Sequence, residues 1–192
     1  MRSMSALDPR VSFAELETWP DFGGDVRYEL YEGEVIELPA AFVGHQYVAM
    51  HVVKLLSAYQ AKHGGLLLFS PVDVVLSQYD VFQPDVLWVG KNKMHLVRRD
   101  RPIEFVPDLA VEVISRSTGV RDRGRKKEIF GKHGLPEYWL VEPHAESLEI
   151  YTHDSGRLDL VGYYARRDEV NSPTLPDLRF SVDTLFTNPL SR

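Results

Sequence analysis

Hydrophobic and polar positions change their period several times along the chain. In "VRYELYEGEVIEL" (26–38) they alternate on either side of Glu32-Gly33, which predicts an antiparallel hairpin. "HQYVAMHVVKLLSAYQAKHGG" (45–65) moves to helical spacing, with Val48, Val52, Leu55, Leu56 and Tyr59 on one stripe and Gly64 as terminator. Short apolar runs of strand length follow at "LLLFS" (66–70), "VDVVLS" (72–77), "FQPDVLWV" (82–89), "DLAVEVIS" (108–115) and "PEYWLVEP" (136–143). "RDRGRKKEIFGKHG" (121–134) predicts a helix closed by glycine, and "SLEIYTH" and "LDLVGYY" flank a Ser155-Gly156 turn as a second hairpin. Near the start, Ser12 and Glu15 form a capping box for a short helix (12–20), after about a dozen loose residues. The sum is an α/β fold: one domain over 13–192, its central mixed sheet flanked by helices, with β-hairpins towards both ends.

Composition narrows the setting. The chain has 192 residues, 44% apolar and 26% charged, enough for one substantial core. It has no cysteine, which excludes disulfides and thiolate metal sites and makes a reducing cytoplasm the simplest compartment. No run reaches the roughly 20 apolar residues of a membrane span, and "MRSMSALDPRVSF" lacks the apolar stretch of a secretory signal. A net charge of −6 argues against a general electrostatic grip on nucleic acid. Binding of that kind would need a local patch, for which "KNKMHLVRRDR" (91–101) and "RDRGRKK" (121–127) are the candidates; either could equally be a solvated loop or helix end.

Candidate chemistry begins with acidic residues where strands disfavour them. Pro84 and Asp85 stand at the start of an otherwise apolar strand. In the strand at 108–115, Leu109, Val111 and Val113 share one face, and Asp108, Ala110, Glu112 and Ile114 the other. Glu112 therefore sits among apolar neighbours, and a buried carboxylate needs a cation, a metal or a hydrogen-bonding network. Two carboxylates on adjacent strand ends would form a hard oxygen site suited to Mg²⁺ or Mn²⁺. Lys126 lies three residues before Ile129 and four before Phe130, on the inward face of its helix, whereas Lys127 is turned towards solvent. A surface pair between Asp122 and Lys126 is the simpler alternative. Asp108 is expected to cap or bond locally, and Tyr138 and Trp139 to belong to the core; His45 could approach the site or sit at a helix start, the second being the simpler expectation.

Together, "YELYEGEVIE", "QPDVLWV", "PDLAVEVISRST" and "RDRGRKKEIFGKHGLPEYWLVEP" resemble a bacterial family of restriction-endonuclease-like proteins, abundant in cyanobacteria and Deinococcus–Thermus lineages, in the PD-(D/E)xK nuclease superfamily. The likeness runs from about residue 26 to 186 and implies a restriction-endonuclease-like fold. It implies that Asp85 is the acid of the "PD" half-motif and Glu112 that of the second half. The superfamily lysine two positions beyond is replaced here by Ile114, with Lys126 on the following helix standing in for it. The resemblance adds the Val113 carbonyl as a metal ligand and Glu29 as a water-mediated or second metal contact; Glu29 could also be an exposed hairpin residue. The function so implied is a Mg²⁺- or Mn²⁺-dependent endonuclease acting on phosphodiester bonds in DNA, working as a homodimer with two sites for two strands. The alternatives are a catalytically silent nuclease-fold module for binding or assembly, and a hydrolase of small phosphoesters.

Overall fold

The computed structural model describes residues 10–115 and 119–187. In chain order these form helix α1 (Phe13–Leu16), the hairpin β1 (Arg27–Tyr31) and β2 (Glu34–Leu38), the long helix α2 (Val43–His63), and strands β3 (Leu66–Phe69), β4 (Val74–Ser77), β5 (Asp80–Phe82) and β6 (Val86–Val89). After a 3₁₀ turn (Lys91–Leu96), β7 (Leu109–Val113) leads to α3 (Gly119–Arg121), a π-helical turn (Asp122–Lys126) and α4 (Lys127–Lys132). Strands β8 (Glu137–Glu142), β9 (Ser147–Asp154), β10 (Arg157–Tyr164), β11 (Glu169–Asn171) and β12 (Arg179–Ser181) precede α5 (Asp183–Phe186).

The central sheet has six strands in the order β10-β9-β8-β7-β6-β3, and only the β7–β8 pair is parallel. Leu109, Val111 and Val113 point to one face, where Val48, Val52, Leu56 and Tyr59 of α2 cover them. Ala110 and Ile114 point to the other, against Ile129 and Phe130 of α4. Strand β7 is thus buried on both sides, which is why its apolar run is nearly continuous. A smaller sheet, β2-β1-β5-β4, holds the N-terminal hairpin.

The mixed α/β architecture with a central sheet and flanking helices is as the sequence predicts, but several local expectations change. The apolar runs at 66–70 and 72–77 enter different sheets, β3 the central one and β4 the smaller one. The C-terminal hairpin β9–β10 is the edge of the central sheet, because β9 pairs along its length with β8. The pair β11–β12 and helix α5 are not foreseen from the pattern. Of the first dozen residues, 1–9 lie outside the described residues, while Val11 donates its amide to the Gly33 carbonyl (2.9 Å) and packs beside Leu16 and Leu30. The capping box at Ser12 forms as expected.

The helix predicted over 121–134 is interrupted at Gly124, whose φ of −101° and ψ of −108° are not helical. Glycine tolerates that geometry, and the ladder loosens into a π turn. Downstream the helix is fastened over the small sheet. Arg125 meets Glu34 and the Tyr31 carbonyl, Lys132 Nζ lies 2.8 Å from Glu32, and His133 Nε2 lies 2.9 Å from Asp80. Helix α4 also approaches the central sheet very closely. A β-carbon on Gly131 would stand 2.8 Å from the Arg157 Cα and 2.9 Å from the Leu158 amide nitrogen, both backbone atoms that cannot swing aside. Gly131→Ala is therefore expected to destabilise the fold by about 1–3 kcal/mol despite alanine's better helix propensity. A melting temperature equal to or above the parent's would show that the helix can shift outward freely.

Candidate functional site

The chain crosses from one sheet to the other through Gln83-Pro84-Asp85, between β5 and β6. Proline costs no ladder bond at such a crossing, and this accounts for its position. The antiparallel register pairs Val86 with Val111, and one further step along both strands brings Asp85 beside Glu112. Asp85 is fixed there by its own contacts. Its Oδ2 accepts the Val113 amide (2.8 Å), and its carbonyl accepts the Ser70 amide (3.0 Å).

Lys126 closes the site from the helical side. Its ammonium is only 3% exposed and lies 2.7 Å from Glu112 Oε1 and 2.7 Å from Glu29 Oε1. The inward phase expected of Lys126 is what the structure has, because the backbone from Lys126 onward is regular helix. Lys127 instead rests over the Tyr151 ring at 4.7 Å. Glu29, on β1, is buried rather than exposed. Its Oε1 also accepts the Gln83 amide (2.8 Å) and its Oε2 the Tyr31 hydroxyl (2.7 Å). Below the ammonium runs a column of rings, Tyr31 to Phe82 to Phe130 to Tyr138, at centroid spacings of 4.9, 5.0 and 5.4 Å.

His45 is a correction. It lies in the first turn of α2, but its Nε2 sits 3.0 Å from Asp85 Oδ2 and its side chain lines the same cleft. The sequence contains no cue for this, because the contact depends on where α2 begins relative to β6. Arg27, Arg121 and Asp122 also line the cleft, whose enclosed volume is about 70 Å³. Asp108 is bonded, though not locally in sequence: it accepts the Gly90 amide (2.6 Å) and pairs with Lys93 (2.8 Å). Tyr138 and Trp139 are fully buried core residues.

The electrostatics follow from burial. Desolvation pushes the Glu112 carboxyl well above its ordinary range; Lys126 opposes this, while Asp85, Asp122 and Glu29 add to it. Burial disfavours the Lys126 ammonium, but Glu112 and Glu29 outweigh that and hold it charged well beyond the usual lysine range. Burial also raises the Tyr31 hydroxyl, so it stays a neutral donor to Glu29. Glu112 Oε1 is within ion-pair distance of Lys126 yet has no well-aligned hydrogen bond; the short separation decides the interaction, and the carboxylate is under-satisfied.

Among the described residues, no group of three or more His, Asp or Glu side chains is arranged to hold a metal ion. What the site offers a cation is a pair of carboxylates. Among the described residues, both side-chain contacts of Asp85 fall on Oδ2 and the Lys126 contact of Glu112 falls on Oε1. Asp85 Oδ1 and Glu112 Oε2 remain for a hard cation, a donor set that fits Mg²⁺, which binds through one or two carboxylates and keeps several waters.

The site contains more negative charge than Lys126 can balance. Because Glu29 alone can neutralise the lysine, Glu112→Gln is expected to leave the metal-free protein equally or more stable. Glu29→Ala should instead cost about 3–5 kcal/mol, since it leaves the buried ammonium with only the raised-pKa Glu112 and removes two further hydrogen bonds. Thermal melts in a chelating buffer compare the two, and a drop of many degrees in Glu112→Gln would make that residue a structural ion-pair partner.

Comparison with known proteins sets this geometry in context. Among curated proteins none matches the sequence. Among solved structures, the fold is similar to a crystal structure described as "a putative nuclease belonging to DUF820" from Anabaena variabilis, with a TM-score of 0.76. That likeness covers 92% of this chain and 97% of the other at 16% identity, so it is a likeness of fold. No helix among the described residues is long and apolar enough to cross a membrane. Residues 13–183, nearly the whole chain, match the Uma2 family, described as "Putative restriction endonuclease", and the protein belongs to that family.

Proposed function

We propose that this protein is a divalent-metal-dependent endonuclease that hydrolyses phosphodiester bonds in DNA, with Asp85, Glu112 and Lys126 as its working residues. The observation that carries the reading is the meeting of two carboxylates and a buried ammonium, drawn from two strands and a helix, in one cleft. A chain selected only to fold has little use for that group, since replacing buried ions by apolar side chains is often neutral or stabilising. Membership of a family described as restriction endonucleases supports the same conclusion.

In this reading Asp85 and Glu112, with the Val113 carbonyl, hold Mg²⁺ or Mn²⁺. When bound, such an ion would supply a water of lowered pKa and shield charge on the phosphate. Lys126, kept charged by its two glutamates, would stabilise the charge that develops on the phosphate. Glu29 keeps the lysine in place, since its oxygens already accept Lys126, Gln83 and Tyr31. This makes it a positioning residue in preference to a second metal contact. His45 orients Asp85 through Oδ2, and Arg27 and Arg121 at the cleft receive neighbouring phosphates.

Two measurements test the proposal. Titration calorimetry should show Mg²⁺ or Mn²⁺ binding to the parent that is lost in Asp85→Asn and in Glu112→Gln, with circular dichroism unchanged; undiminished binding in both would sink the metal assignment. In a plasmid-nicking assay, Lys126→Ala should lower the rate by about 10²–10³, whereas Lys127→Ala should leave it essentially unchanged. The reverse pattern would reject the role given to Lys126.

A further inference from the structure

A second depression opens beside the cleft and shares one residue with it. It is an apolar groove of about 240 Å³ along the start of α2, formed by Ala49, Met50, Val53 and Phe69, with Gln46 and Ser70 at its edge and Asp85 at its inner end. Phe69 is 61% exposed there. Its position is fixed relative to the site, because Phe69 pairs with Val86 and the next residue, Ser70, bonds to the Asp85 carbonyl. On the cleft side of Asp85 stands Phe42, 78% exposed. Phe42 is the N-cap of α2, a position where Ser, Thr, Asp or Asn would satisfy an amide, and it makes no side-chain capping bond. Two large aromatic side chains thus lie open to solvent on either side of the same aspartate, one of them where helix stability favours a different residue.

We propose that this groove receives an unpaired base of the strand being cut, with Phe69 and Phe42 as stacking platforms on either side of the reacting phosphate, so that the substrate is single-stranded or locally unpaired DNA. This rests on the nuclease reading of the adjacent cleft and specifies its substrate. The charge distribution favours one strand over two. Duplex binding is driven by rows of Lys and Arg along both backbones, and this chain carries a net charge of −6. Of its two basic segments, 91–101 lines neither the cleft nor the groove, and 121–127 is largely committed internally: Arg123 pairs with Glu149, Arg125 with Glu34, and Lys126 is buried. Among the described residues, the cations lining the site besides Lys126 are Arg27, whose Nη1 donates to the Ser70 hydroxyl (3.1 Å) where cleft and groove adjoin, and Arg121 in the cleft. A few cations with exposed aromatic rings are the means by which proteins hold single strands, since every base has a face to stack. Gln46 and Ser70 can bond to the base edge.

The test uses the full chain carrying Glu112→Gln, to prevent turnover, and fluorescence anisotropy with a labelled single-stranded DNA oligonucleotide and with the blunt duplex of the same sequence. Single strand is expected to bind more tightly than duplex. Phe69→Ala and Phe42→Ala should each weaken that binding about tenfold, and Phe69→Trp should restore it where Phe69→Leu does not. Both side chains are exposed, so melting temperatures should not move. Equal or tighter binding of duplex, no binding of either DNA, or indifference to both phenylalanines would overturn the proposal. So would an RNA oligonucleotide bound much more tightly than DNA. Self-association in sedimentation that disappears with Phe69→Ala would likewise overturn it, since the groove would then seat a second copy of this chain. The Mg²⁺-loaded parent separates this inference from its basis. Phenylalanine-dependent binding without cleavage of any DNA keeps the groove and rejects the nuclease reading, whereas duplex cleavage indifferent to both phenylalanines keeps the nuclease and rejects the groove.

Discussion

An ammonium group with almost no access to water sits where three elements converge, and much of the site's arrangement follows from it. Lys126 comes from the helical segment, Glu29 from the small sheet and Glu112 from the central sheet. Removing either glutamate's reach would leave the lysine to be satisfied by one partner, and removing both would leave an unpaired charge in the core. The pair of contacts therefore fixes how the small sheet stands against the large one. The exposed ion pairs around it, from Arg125 and Lys132 to the hairpin, point the same way but are individually weak in water. The ring column from Tyr31 to Tyr138 fills the space beneath and excludes solvent from the lysine.

The same arrangement leaves the site unbalanced. Near Glu112 one buried lysine stands among Glu29, Asp85 and Asp122, with Arg27 and Arg121 farther out along the cleft, and burial drives the Glu112 carboxyl towards its neutral form. The neighbouring features fit chemistry at that point: Asp85 is held by a backbone amide and by His45, and Glu112 is rigid on a strand buried on both faces. Precision here comes from the scaffold, since the carboxylates lie on or beside strand ends and none depends on a long free loop.

Gly124 and Gly131 show how the helical segment serves two demands. At Gly124 the backbone leaves helical geometry, and Asp122 and Lys126 are both buried on either side of the break. At Gly131 the missing side chain lets α4 lie directly on the β9–β10 turn region of the central sheet. Together they bring the helix low enough for a lysine side chain to reach carboxylates on two different sheets.

Much of this was legible in the residues themselves. The alternation about Glu32-Gly33, the stripe of α2, the two faces of β7 and the inward phase of Lys126 are all local periodicities, and local periodicity survives because side-chain direction is set by the backbone's own repeat. The anomaly of Asp85 and Glu112 was visible too, since an acid within an apolar strand requires a partner whatever the fold. The partners themselves were another matter. His45, Glu29 and Tyr31 reach the site only through the docking of α2 and the small sheet, and no spacing in the chain records which hairpin stands over which strand. The sequence places residues on faces of helices and strands; the angle at which those elements pack, a sum of many small contacts far apart in the chain, decided which of the faces would meet.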